Sequence, residues 1–318
     1  MRAAFIAGKN KPMDTAEPQP PVEQRGPRQT QSYLRNLFQQ RGLKPKNKLG
    51  QNFLIDLNLL ELLLRSAELA REDLVLEVGS GTGGLTARLA DLARAVLSIE
   101  LDTDFFALVK ETVAGRDNVR LMNVDILRNK NELNPGVLEA ISELRQQPGC
   151  SRLKLVANLP YSVATPVIAN FLLSDVDFER MVVTVQWEIA ERLMARPGTK
   201  DYGALAVLVQ SVADVELVRR LSPAVFWPRP QVGSAIVIIR PNASKRAHVG
   251  DVQRFRSFLR DLYVHRRKNL RGGLVGLPND RWSKEEVDRK LEELGISGTV
   301  RAEELDIEQH LRLCAAFG

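Results

Sequence analysis

The chain holds little that could bind a metal or cross-link it. Only two cysteines, Cys150 and Cys314, and three histidines occur in 318 residues, and none stand at ligand spacing. No zinc site and no disulfide framework are therefore expected. No apolar run approaches the roughly 20 residues that a bilayer-spanning helix needs, so no membrane span is expected. Ala3 to Ala7 is too short for a signal-peptide core, and the stretch after it is polar and proline-bearing; a cytoplasmic protein is the expectation.

What is present suffices for a sizeable core. The length suggests two domains with tails, and the 44% hydrophobic content is that of an ordinary globular protein. The net charge of +6 is unevenly spread. Residues 1–50 and 242–281 each carry +7, whereas residues 51–241 and 282–318 each carry −4. Basic segments are commonly just solvated faces, but two of them flanking an acidic body also suit a polyanionic partner.

The most informative stretch is Leu153-Lys154-Leu155-Val156-Ala157-Asn158-Leu159-Pro160-Tyr161. Its first half has the length of a strand buried on both faces. Pro160 has no ladder donor, so the chain must leave the sheet there. Asn158 and Tyr161 then stand at the carboxyl edge of a parallel sheet, where open α/β folds bind ligands. An amide oxygen and a main-chain carbonyl of Leu159 or Pro160 can each accept from one NH2 group, while Tyr161 stacks on the attached ring. Taken alone, the tetrapeptide could equally be a plain strand exit.

Residues 74–125 read as alternating strands and helices. Leu74 to Val78 is a strand, Gly79-Ser80-Gly81-Thr82-Gly83-Gly84 a tight turn, and a helix through Leu85, Leu89 and Leu92 leads to a second strand ending before Glu100. An acid 21 residues after the first glycine is placed to accept from ribose hydroxyls. A third strand, Val119 to Val124, ends in Asp125. The glycine pattern formally fits a dinucleotide, but three features favour S-adenosylmethionine. Glu77 lies inside the first strand, where a carboxylate must organise the glycine loop or meet a cation. Asp125 can accept from a cofactor adenine, although a solvated strand-end carboxylate would look the same. The Asn-Leu-Pro-Tyr ending suits an amine that accepts a methyl group.

The remaining expectations are coarser. Residues 1–30 contain five prolines and few large apolar side chains, which suggests a disordered leader. Ser32 to Gln40 can form a short amphipathic helix, and Asp56 can cap another. Residues 132–150 read as a polar crossover, and Thr165-Pro166 as the start of a helix. The sheet then continues through Met181 to Val185, Val215 to Leu221 and Ala235 to Ile239, seven strands in all with a terminal hairpin. Phe226 and Trp227 lie in a stiff loop, either a plug under that hairpin or a contact for substrate. Residues 31–241 thus form one domain and residues 242–318 a small helical one. Arg256, Arg260, Arg267 and Arg271 fall on one side of a helix, and Arg266 and Lys268 extend this basic ridge, which would bind phosphates without reading sequence.

Six stretches occur in order: GQNFLID (50–56), EVGSGTGGLT (77–86), IELD (99–102), VDIL (124–127), NLPYSVATP (158–166) and FWPRPQVGSA (226–235). Together they resemble the ribosomal RNA adenine N6-dimethyltransferase family, over roughly residues 43–315, and within it the small-subunit branch. The resemblance implies an α/β, Rossmann-like class I methyltransferase sheet of seven strands with a C-terminal all-helical domain. It implies S-adenosylmethionine as cofactor and two adjacent adenosines of 16S rRNA, in the small ribosomal subunit or its precursor, as substrate, acted on by a monomer. Asn52, Leu54, Gly79, Gly81, Glu100, Asp125 and Asn158 would border the cofactor. Asn158, Leu159, Pro160 and Tyr161 would be catalytic, and Phe226 with Arg256, Arg260, Arg266, Arg267 and Lys268 would meet RNA. Trp187 and Gln231 depart from the usual pattern, which has basic residues there. The alternatives are the large-subunit branch that confers macrolide resistance, a mainly non-catalytic assembly factor, and a nicotinamide-dependent oxidoreductase. The loop Pro197 to Gly203 favours the small-subunit branch.

Overall fold

The computed structural model describes residues 30–278 and 282–318. The expected leader lies outside the described residues except for Thr30, whose hydroxyl caps the first helix by accepting from Tyr33 N at 3.2 Å.

Seven strands build one sheet: β1 (Asp73–Val78), β2 (Ala95–Ile99), β3 (Val119–Met122), β4 (Arg152–Asn158), β5 (Arg180–Gln186), β6 (Ala213–Leu221) and β7 (Ser234–Pro241), in the order β3-β2-β1-β4-β5-β7-β6. The first five pair in parallel, and β7 runs antiparallel to both β5 and β6. Their sequences are Val/Ile/Leu-rich without alternation because both faces are covered. On one face Leu76, Leu97, Leu155 and Val183 enter the larger core. On the other, Val75, Val96, Val156 and Val182 meet the helices α2 (Leu57–Ala67) and α3 (Gly84–Leu92). The sheet reverses direction of growth between β1 and β4, and ligand crevices form at such a switch point.

Asp56 caps α2 as its sequence suggests, accepting from Asn58 N and Leu59 N at 2.9 and 3.2 Å. The helix α6 (Ala164–Leu173) begins ahead of the start that Thr165-Pro166 suggests. Proline is tolerated throughout a first turn, where N–H groups have no intrahelical partner anyway. The polar stretch 132–150 contains a helix, α5 (Pro135–Arg145), capped by Asn134. Its local signal, Asn followed by Pro, is masked in the sequence by the polarity of its flanks.

After α7 (Trp187–Met194) and α8 (Ala204–Gln210), residues 242–318 are helical wherever they are regular: α9 (Ala243–Val249), α10 (Val252–Val264), α11 (Leu270–Val275), α12 (Lys284–Leu294) and α13 (Ile307–Phe317). Phe255, Phe258, Leu259 and Leu262 belong to the same buried cluster as the sheet, so apolar packing runs without a break from β4 and β5 to these helices. The expected continuous basic ridge is not formed. The chain turns after Val264 because Asn269 caps α11, its Oδ1 accepting from Gly272 N at 2.9 Å. A residue that bonds its own local backbone in this way competes with helix continuation. Arg256 and Arg260 therefore stay on α10, Arg266, Arg267 and Lys268 stand exposed in the turn, and Arg271 on α11 is bound to Asp288.

Candidate active site

A cavity of about 850 Å3 opens at the carboxyl ends of β1 to β4. It is large enough for a nucleoside cofactor with room beside it. Asn52, Leu54, Gly79, Gly81, Glu100, Asp125, Asn158 and Pro160 all line it, drawn from separate parts of the chain.

The glycine turn is shaped by what lies against it. Gly79 has φ +84°, and a Cβ there would sit 2.8 Å from Pro160 Cγ. The β1 and β4 exits can therefore approach so closely only because residue 79 lacks a side chain. Gly50 plays the same part on the opposite wall, with φ +66° and a would-be Cβ 2.9 Å from Tyr161 N. These approaches press the 49–52 loop and the glycine turn around the Asn158-Leu159-Pro160 corner.

Glu77 is 1% exposed, and its Oε2 accepts from Thr86 Oγ1 and Ser98 Oγ, each at 2.6 Å. Its Oε1 is buried without a donor, and the residue lines the cavity. Burial drives its pKa up to about 8, against the pull of the two hydroxyls. Glu100 is also buried, which raises its pKa despite hydrogen bonds from Asp102 N at 2.9 Å and Gly81 N at 2.8 Å. Each of its oxygens keeps a further lone pair. Asp125 is exposed at the rim, with Oδ1 accepting from Leu127 N.

At the centre, Asn158 donates through Nδ2 to the carbonyl of Asn52 at 2.7 Å, and its Oδ1 is buried with no donor. The Leu159 side chain is in the core, so only its backbone can serve the site. The Pro160 carbonyl already accepts from Val163 N at 3.1 Å. Tyr161 is half-buried outside the cavity wall, and its hydroxyl shares a 2.5 Å hydrogen bond with Ser234 Oγ on β7. Burial raises the pKa of this phenol.

Phe226 is not where a substrate contact requires it. It is 2% exposed, packed with Val182 and Ile236 under the sheet, and its backbone pairs with Leu54. The plug alternative describes it correctly, because the pairing of residues 53–54 with 226–227 turns the ring inward. Trp227 lies against Phe38, ring centroids 5.1 Å apart. At the two unusual positions, the Arg220 guanidinium sits 4.2 Å from the centroid of Trp187, and Gln231 is exposed.

Two features have no clear signal in the sequence. The helix expected at Ser32 to Gln40 forms as α1 (Gln31–Arg41), but nothing local shows that it walls the cavity with Tyr33, Leu37 and Arg41. The loop before α2 is latched to Asp102: Lys46 Nζ lies 2.9 Å away and Gln51 Nε2 donates at 3.0 Å. Burial alone would raise the Asp102 pKa, but Lys46, Gln51 and Asp104 N together hold it below the usual range. Three lysines beside Gln51-Asn52 hint at a functional loop without revealing its partner. The described residues contain no group of acids, histidines and cysteines that could hold a metal, and no helix among them is long and apolar enough to cross a membrane.

The site has the parts for a nucleoside cofactor bearing a positive charge. A glycine cradle, two strand-end acids and an unpaired buried carboxyl oxygen at Glu77 fit S-adenosylmethionine, whose ammonium group would supply the missing partner.

Comparison with known proteins agrees. The family model for ribosomal RNA adenine dimethylase matches residues 42–317. Ribosomal RNA small subunit methyltransferase A of Lachnoclostridium phytofermentans is 38% identical, covering 84% of this chain and 90% of that protein. The protein of the same name from Ligilactobacillus salivarius is also 38% identical, over 89% and 93%. Among solved structures, a dimethyladenosine transferase from Plasmodium falciparum superposes with a TM-score of 0.64 at 24% identity, over 81% of this chain and 94% of that one. The 23S rRNA methyltransferase ErmE gives 0.57 at 26% identity, over 83% and 99%. The two structures share its fold, a class I methyltransferase sheet, and on the strength of the family match and the two 38% relatives the chain belongs to the ribosomal RNA adenine dimethylase family.

Proposed function

We propose that this enzyme transfers methyl groups from S-adenosylmethionine to N6 of two adjacent adenosines in the 3′-terminal hairpin loop of 16S rRNA, within the small ribosomal subunit or its precursor. The relatives matched at 38% identity are small-subunit enzymes, which favours this substrate over the large-subunit one. The observation that carries the chemistry is the Asn158 amide, pinned through Nδ2 with Oδ1 unpaired on the cavity wall.

When bound, the cofactor supplies an electrophilic sulfonium methyl. Glu77 and the glycine turn hold its amino-acid end, Glu100 the ribose, Asp125 the adenine, and Asn52 and Leu54 close the side. The acceptor nitrogen has a lone pair delocalised into its ring. Asn158 Oδ1 and the Leu159 carbonyl accept its two hydrogens and favour the pyramidal form in which that lone pair is available, so orientation and preorganised dipoles provide most of the acceleration. The Pro160 carbonyl is the weaker candidate for the second acceptor, because Val163 N occupies it. Tyr161, tethered through its hydroxyl, stacks on the adenine after that base leaves its RNA stack, a step costing a few kcal/mol. No histidine is needed, because the methylated nitrogen is cationic and loses its proton readily.

Incubation with labelled S-adenosylmethionine and undermodified small subunits, followed by mapping, should place the methyl groups on N6 of the two hairpin adenosines. Label elsewhere in 16S rRNA, none at all, or label only in 23S rRNA when large subunits are offered in parallel, would overturn the reading.

A further inference from the structure

A second cleft, of about 270 Å3, opens where the turn between β3 and α5 meets α6 and α10. Asn170 forms its floor. It is 5% exposed, donates through Nδ2 to the Lys130 carbonyl at 3.3 Å, and has a buried Oδ1 with no donor. A buried acceptor of this kind destabilises the fold until a donor reaches it.

Arg256 stands on the facing wall, half-buried. Its guanidinium donates to Asn131 Oδ1 at 3.0 Å and to the Asn131 carbonyl at 3.4 Å, both neutral groups. Among the described residues no carboxylate lies within ion-pair distance of it. Burial and then the charge of Arg260 lower its pKa, as befits a cation short of counter-charge. Arg128 is at the mouth, 3.7 Å from Glu132, an exposed pair worth little. The cleft thus presents two arginines and a lone acceptor, and the one carboxylate among its lining residues, Glu132, is engaged by Arg128.

We propose that this cleft docks one ribonucleotide of the RNA strand outside the target adenosines, its phosphate between Arg128 and Arg256 and its ribose 2′-hydroxyl donating to Asn170 Oδ1. A phosphodiester or carboxylate alone has no proton to offer Asn170, and DNA lacks the hydroxyl, so the combination selects RNA. Arg128 follows Asp125 of the main cavity by three residues, at most about 11 Å of chain, so one strand can reach both. Such a contact sets the register of the strand without reading its bases. The proposal rests on the rRNA substrate argued above and adds a position that holds it.

The test uses the full chain with saturating S-adenosylhomocysteine and undermodified small subunits, with affinity measured across a range of KCl concentrations. Arg256→Ala and Arg128→Ala should each weaken binding about tenfold and lower the slope of log affinity against log salt by about one, with cofactor affinity unchanged. Arg256→Lys and the exposed Arg128→Ala keep the test valid if Arg256→Ala does not fold. With subunits assembled from 16S rRNA carrying random 2′-deoxy substitutions, the parent should lose binding at a position that Asn170→Ala no longer senses. Unchanged affinity and slope in folded arginine variants, or an interference pattern that Asn170→Ala leaves intact, would overturn the site while methylation by the parent upholds the rRNA reading. Failure of the parent to bind any subunit would overturn both.

Discussion

The side chain of Asn158 and the main-chain carbonyl of Asn52, 106 residues apart in sequence, share a 2.7 Å hydrogen bond at the heart of the cavity. That bond fixes the amide: with Nδ2 engaged, Oδ1 remains as the acceptor without a donor. Asn158→Ala removes the acceptor, and Asn158→Asp sets a carboxylate oxygen against the Asn52 carbonyl. Each should lower kcat at least about 100-fold, the scale on which removing a preorganised dipole acts, with little change in calorimetric cofactor affinity. Full turnover by Asn158→Ala would dismiss the amide from the mechanism.

Glu77 couples cofactor binding to pH. Its pKa of about 8 keeps it protonated in the empty site at neutral pH, whereas a bound ammonium favours the carboxylate. Binding at pH 7 should therefore release close to one proton, and affinity for S-adenosylhomocysteine should rise up to about tenfold per unit from about pH 6 to 8 before levelling. Calorimetry in buffers of different ionisation heat measures this directly, and a flat profile with no proton released would refute it.

The same group bears on stability. Between the ordinary glutamate pKa of 4.5 and about 8 the folded chain holds a proton at Glu77 that the unfolded chain has given up. The contribution of this carboxyl therefore falls as pH rises through that window. Glu77→Gln, free of the charged form, should melt at a higher temperature than the parent at about pH 9 and bind cofactor more weakly. Equal melting curves under those alkaline conditions would contradict the burial penalty.

Phe226 and Tyr161 should separate on substitution. Phe226→Ala opens a cavity beneath the sheet and should cost about 3–5 kcal/mol in denaturant unfolding. Tyr161→Ala removes the half-buried ring proposed to stack on the target base and should act mainly on kcat/KM. A stable, slow Phe226→Ala enzyme would return that ring to the active site.

Arg266, Arg267 and Lys268 stand exposed in the turn after α10. Replacing all three with Ala should reduce the salt slope of subunit binding by about 0.9 for each phosphate that is no longer neutralised, without changing the melting temperature. An unaltered slope would take this turn out of the RNA interface.

Much of the architecture is legible in the sequence because it rests on local signals. Apolar runs of strand length, the glycine turn, Asp56 as a cap and the Pro160 exit each depend on a few consecutive residues, and they suffice to place Gly79, Glu100, Asp125 and Asn158 at one sheet edge. What escapes depends on residues far apart in the chain. The inward turn of Phe226 follows from its pairing with Leu54, and the division of the basic ridge from Asn269 capping the next helix. The latch of Lys46 and Gln51 on Asp102, and the orientation of the Asn158 amide, require loops brought together by folding. Periodicity and caps are properties of a segment. The aim of a side chain is set by whichever neighbour supplies its hydrogen-bond partner, and only the packed chain chooses that neighbour.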